Sequence, residues 1–224
     1  MNIQADIRLA LLLIPKELIS TLYMVFVAFI ISSCIGGVLG IVLFIFEDKG
    51  PRPNFFFYKI LSLIFNFFRA IPFSILIILL FPFTKFIVGS SIGTTASIVP
   101  LVVGAIPLIG RLTQEIVSET YFVFRDVFFS LNASLFQVIK VIIQESAERF
   151  IKSLTLVLIT LVNYSSLAGL VGGGGLGQLA IQYGYYRFNY FIMFSVLLIV
   201  ILLVGIIQTS GYFISNFISK KKGM

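Results

Sequence analysis

Apolar positions in this chain gather into long stretches that polar residues barely interrupt. No charged side chain occurs in residues 18–46, 86–110, 153–186 or 188–219, stretches of 29, 25, 34 and 32 positions. A bilayer core needs about 20 apolar residues as helix, so each stretch is long enough to cross one. A fifth run, from Phe56 to Phe83, is interrupted by Lys59 and Arg69. Its uncharged part, 70–84, would rise only about 22 Å as a helix, so this span must begin earlier and include Arg69. The pattern predicts an all-α membrane protein with five transmembrane helices, at about 18–46, 56–83, 87–110, 150–171 and 190–217. The first run starts without a short basic region and a small-residue cleavage site, so no cleavable signal peptide is expected.

One segment breaks the pattern. Residues 111–152 hold ten charges, among them five of the nine acids. Within them Phe124, Val127, Phe128, Leu131 and Leu135 recur at spacings of three and four, one face of an amphipathic helix. Asn132, followed by Ala133 and Ser134, favours a turn or a cap. The segment therefore reads as two short helices meeting near Asn132. Two roles fit it: a connector lying on the membrane face, or a docking element for another protein.

Composition narrows the chemistry. Charged residues make up 11% and hydrophobic residues 59%, against about 25% charged in an ordinary soluble chain. The chain has no His and a single cysteine, Cys34, in an apolar run where it reads as a packing residue. Neither a metal site nor a catalytic site is expected, because the commonest metal ligand and general base is missing. A membrane-embedded enzyme would need acids or His converging within the spans, and the sequence offers none there. A passive channel would have no use for the charged segment at 111–152.

The net charge of +7 matters through its distribution. With the C-terminus in the cytoplasm, inner segments hold Lys49, Arg52, Lys59, Arg111, Arg125, Lys140, Arg149, Lys152 and Lys220 to Lys222. Outer segments hold Arg8, Lys16, Lys85 and Arg187, so the split is eleven to four. The positive-inside rule then puts residues 1–17 outside. The terminal "KKKG" reads as an anchor on the inner leaflet, and no nucleic-acid partner is needed to explain the basic balance.

Six glycines crowd into "GLVGGGGLGQ", residues 169–178. Gly172, Gly174 and Gly177 formally give G-x-G-x-x-G. A phosphate-binding loop would need a Lys after the last glycine, or an acid about 20 residues on. Neither exists: Gln178 follows Gly177, and no Asp or Glu occurs after Glu148. Gly172, Gly173, Gly174, Gly175 and Gly177 are therefore expected to form a structural turn at the outer end of the fourth span. Arg69 could line a path, hold a helix end or reach toward the membrane surface. Asn163, Tyr164, Ser165 and Ser166, polar within a span, are candidates for lining a translocation path.

Several stretches carry a family resemblance. "FFRAIPFSILIILLFPFTKFIVGSSIGTTASIVPLVVGAIPLIGRL" at 67–112 and "ITLVNYSSLAGLVGGGGLGQLAIQYGYYRFN" at 159–189 resemble the membrane-spanning permeases of ATP-binding-cassette importers, specifically those for methionine. The likeness runs from about Leu18 to Gln208. It implies a type I ABC importer permease fold. Residues 1–17 would be an outward-facing segment, 18–209 the transmembrane domain with a coupling segment at about 115–145, and 210–224 the helix end and basic tail. The family's coupling motif has Glu-Ala-Ala, then Gly, then Ile-x-Leu-Pro. Here the matching positions are Asp126-Val127-Phe128, Asn132 and Ile142-Ile143-Gln144-Glu145, so acidic character persists while the small residues do not. The resemblance makes Arg125, Asp126, Phe128, Asn132 and Ala133 candidates for docking on an ATPase. It also implies a second copy of this chain, two ATPase subunits that hold ATP and Mg, and an extracytoplasmic methionine-binding protein. The setting would be the lipid bilayer of a bacterial inner membrane, with no cofactor on this chain. A substrate other than methionine, another small amino acid or a derivative, fits the same resemblance.

Overall fold

The computed structural model describes residues 3–221, and the described chain is helical, without strands. Lys222 and Gly223 of the basic tail lie outside the described residues. The helices are α1 (Ile3–Phe46), α2 (Phe55–Ala70), α3 (Phe73–Leu79), α4 (Phe81–Val88), α5 (Thr94–Ser130), α6 (Leu135–Glu145), α7 (Ala147–Leu170), α8 (Gly175–Leu179) and α9 (Tyr190–Lys221). A π-helical segment, Ala180–Tyr185, continues α8. Among the described residues α1, α5, α7 and α9 are each long and apolar enough to cross a membrane, and α2 with α3 makes a fifth candidate if the pair counts as one span.

Four expectations from the apolar pattern need correction. The second span is not one straight helix: α2 and α3 meet at 102°. Pro72 supplies the reason, since it has no N–H to continue α2 and disfavours helical backbone at Ile71 before it. Its carbonyl instead accepts from Ile75 (2.9 Å) and Leu76 (3.0 Å), starting α3 in a new direction. The third span begins at Thr94 rather than 87, because Gly89, at φ 84, ends α4 in the left-handed conformation. The first span starts far earlier than residue 18, since α1 is helical from Ile3 and tolerates Pro15 inside it. Finally, the first of the two short helices expected before Asn132 is the continuation of α5, which puts Arg111, Glu115, Glu119, Arg125 and Asp126 on one helix.

The chain divides into two compact units, each assembled from distant stretches. One comprises residues 1–31, 71–105 and 158–208, the other 32–70, 106–157 and 209–224. In the first, Leu176, Leu179, Ile192 and Val196 form a buried cluster against Leu9, Leu13, Ile14 and Leu18 of α1. In the second, Phe44, Val117, Tyr121, Phe128, Val138 and Ile142 do the same. There α1 meets α5 through small residues: a Cβ on Gly36 would lie 2.9 Å from the Ile106 carbonyl, and one on Gly40 would strike the Gly110 carbonyl. Such close backbone approach replaces the hydrophobic drive that lipid removes. The same face of α1 buries Ser32 and Leu43, which leaves Cys34 exposed on the opposite side rather than packed. In the most apolar window of α9 only 11% of the residues are buried within the chain.

Candidate functional site

The corner where α5 gives way to α6 holds the docking candidates. Asn132 takes φ 47 in the turn, a conformation Asn tolerates better than most residues. The Asn132 amide donates to Phe129 (3.1 Å) and that of Ala133 to Phe128 (3.0 Å), closing the end of α5. Ser134 then starts α6 with a capping box: its hydroxyl accepts from the Gln137 amide, while Gln137 Oε1 accepts from the Ser134 amide at 2.8 Å. Arg125 and Asp126 are exposed on the last turns of α5, with the Arg125 guanidinium 5.5 Å from the Phe129 ring. Phe128 does not join them. It stacks on Tyr121, ring centroids 6.0 Å apart, within the buried cluster. Its bulk, where the family motif has a small residue, is thus absorbed inside this chain rather than in a partner's groove. The outward positions beside Asp126 are instead Val123, Val127, Phe129 and Leu131.

Four of the charges near this corner form ion pairs that stay open to solvent. Arg149 pairs with Glu119 at 3.0 Å and Lys152 with Glu148 at 2.6 Å. A polar network that the sequence reading missed joins the connection after α1 to α2 and α5. Glu47 accepts from Ser118 and from Gln114 Nε2 (2.9 Å), and Gln114 Oε1 accepts from Arg111 at 2.8 Å. Arg111 also donates to the Ser62 hydroxyl and to Asn66 Oδ1 (3.1 Å). Arg111, counted above among the inner-segment charges, and Glu47 are therefore structural. The available signal was the spacing Arg111, Gln114, Ser118, which places three polar groups on one helix face.

The glycine run forms a tight turn between α7 and α8. Gly172, Gly174 and Gly175 take φ of 83, 79 and 79, where other residues are strained. A Cβ on Gly173 would strike Ser97, and one on Gly177 the backbone of Ser166. Three successive amides are occupied by the chain itself: Gly174 donates to Gln178 Oε1 (2.6 Å), Gly175 to the Glu17 carboxylate (2.7 Å) and Leu176 to the Thr21 hydroxyl (2.9 Å). With all three amides bound within the chain, and the Glu17 carboxylate on the middle one, a phosphate there would have to displace these partners and meet a like charge. Glu17 and Thr21 were not singled out from the sequence, because 158 and 155 residues separate them from their partners. Nearby, Asn189 caps α9 through the Ile192 amide (3.1 Å) and donates to Asp6 (2.7 Å).

The candidates for lining a path do not converge. Four consecutive residues on a helix are spread around its axis at 3.6 per turn. Asn163 is exposed, Tyr164 stacks on Phe73 with centroids 4.2 Å apart, and Ser165 is buried. The hydroxyls of Ser165 (2.7 Å) and Ser166 (3.2 Å) both donate to the Val162 carbonyl. Arg69 is exposed in the last turn of α2, where a cation complements the helix dipole beside the Pro72 bend.

Comparison with known proteins agrees with this architecture. The family described as "Binding-protein-dependent transport system inner membrane component" matches residues 36–222. The probable D-methionine transport system permease protein MetI of Vibrio cholerae is 41% identical over 85% of each chain. The methionine import system permease protein MetP of Bacillus subtilis is 37% identical over 73% of this chain and 74% of its own. Among solved structures, an inward-facing form of the MetNI methionine ABC transporter superposes with a TM-score of 0.90 at 37% identity, over 93% of this chain and 97% of that one. A crystal structure of an amino acid ABC transporter, 16% identical with a TM-score of 0.65, shares the fold. The bent and continuous helices, the capped corner after α5 and these likenesses lead to one conclusion: the chain belongs to the family of inner-membrane components of binding-protein-dependent transport systems.

Proposed function

We propose that this chain is the membrane subunit of an ATP-driven importer that carries methionine, in the D or the L form, across the bacterial inner membrane. The observation that carries the reading is the near-complete likeness to a methionine transporter, 37% identical with a TM-score of 0.90. Two copies enclose the path. The N-terminus lies outside and the C-terminus in the cytoplasm, so the glycine turn faces outward and the corner after α5 faces inward. Two ATP-binding-cassette subunits dock on that corner through Arg125, Asp126, Asn132 and Ala133, and they hold the ATP and Mg. An extracytoplasmic methionine-binding protein delivers the substrate.

The mechanism needs an element with two states that ATP can bias. Helix α5 suits that task because docking residues and a membrane span share one continuous helix, Thr94–Ser130. The outward-turned face bearing Asn163 is assigned to the path between the two copies. Vesicles holding this chain, its ATPase and the binding protein should accumulate labelled methionine only with ATP. Equal uptake without ATP, or ATP-driven uptake of other amino acids but not methionine, contradicts the reading.

A further inference from the structure

We propose that the connection between α1 and α2 is a second docking element, in which Arg52 receives an acidic side chain of the ATPase partner. The inference rests on the docking reading above and adds the chemistry of the partner. A hollow of about 330 Å³ lies beside the turn after α5, lined by Pro51, Arg52, Tyr121, Phe129, Asn132 and Ser134 among others. It is continuous with the docking corner, since Phe129, Asn132 and Ser134 are exposed there. At the small end of the range for ligand pockets, about 300–1,000 Å³, it has room for a side chain or two rather than a large molecule.

Arg52 is the one ionised residue lining this hollow. Among the described residues, neither ion pair, Arg149 with Glu119 or Lys152 with Glu148, involves it. Its guanidinium is a planar fork that matches a carboxylate in two hydrogen bonds. An apolar side chain seated here would bury that charge unpaired, and a basic one would be repelled. The connection is also fixed in advance: Gly50 donates to Glu47 (2.9 Å), Arg52 to Ile45 (3.0 Å) and Asn54 to Phe46 (3.1 Å), all through backbone. Preorganisation of this kind lowers the ordering cost of binding.

The test uses the full chain co-expressed with its ATPase and measures ATPase retained per permease after size exclusion in detergent. Arg52→Glu should retain at least tenfold less ATPase with insertion and dimerisation unchanged, since truncated or reversed interfacial charges act on this scale. Arg52→Lys should keep part of the binding. Single Asp→Arg or Glu→Arg reversals on the permease-facing surface of the ATPase should include one that restores retention by the Arg52→Glu chain. If no reversal does so, the acidic partner is wrong. Asp126→Lys runs in parallel: full retention by Arg52→Glu with loss by Asp126→Lys overturns this proposal alone, and retention by both overturns the docking reading itself. Should Arg52→Glu fail to insert, Arg52→Ala decides, and retention equal to the parent rules the proposal out.

Discussion

Gly175 shows how one residue can fix a turn. Its φ of 79 is a conformation that costs an L-residue about 1–2 kcal/mol. A Cβ there would also stand 2.6 Å from Thr21 Oγ1 and 2.9 Å from Met24 Cε. Thr21 cannot simply turn away, because its hydroxyl accepts from the Leu176 amide. Gly175→Ala should therefore lose about 2–3 kcal/mol, the sum of backbone strain and a weakened buried hydrogen bond, read as a lower melting temperature in detergent. Gly37→Ala is the matched control, since nothing lies within 4 Å of its added Cβ. That change should leave stability level or raise it, by the ordinary preference of helices for Ala. Equal melting temperatures for the two variants would contradict the account of the turn.

Among the elements, α6 owes its start to a local device. It is short, Leu135–Glu145, and helices of that length are marginal unless capped and packed. Val138 and Ile142 supply the packing, and the reciprocal bonds of Ser134 and Gln137 supply the cap. Ser134→Ala should cost about 1 kcal/mol. Amide exchange in the first turn of α6 should then quicken about fivefold, with that of the buried positions of α5 unchanged. Opposite behaviour marks the joint of α2 and α3, where no cap operates: Pro72 forces the 102° bend through backbone geometry alone.

At the scale of the molecule, function depends on a partner pulling at one corner. Asp126→Lys replaces an exposed acid on the last turns of α5 with a base, and Asp126's own contacts within the chain are slight. The variant should insert and dimerise normally yet lose co-purification with the ATPase. Retained ATPase would place the docking face elsewhere. The contrast with Phe128 makes the test selective. Phe128 is part of the buried cluster with Tyr121 and Ile142, so Phe128→Ala should unfold or loosen this unit by about 3–5 kcal/mol instead of acting on docking alone.

The membrane class, the number of apolar runs, the turn at Asn132 and the exclusion of a phosphate site were all legible in the sequence. Each follows from local composition: lipid demands uninterrupted apolar helix, and a missing Lys or acid cannot be supplied from elsewhere in the chain for a local motif. What the sequence could not disclose depends on which distant residues meet. The Glu17 carboxylate on the glycine turn, the network from Glu47 through Gln114 to Arg111, and the burial of Phe128 all join segments far apart in the chain. Periodicity gives the face of a helix but not the identity of its neighbour. Tertiary packing alone decided which charges would hold the fold together and which would remain outside for a partner.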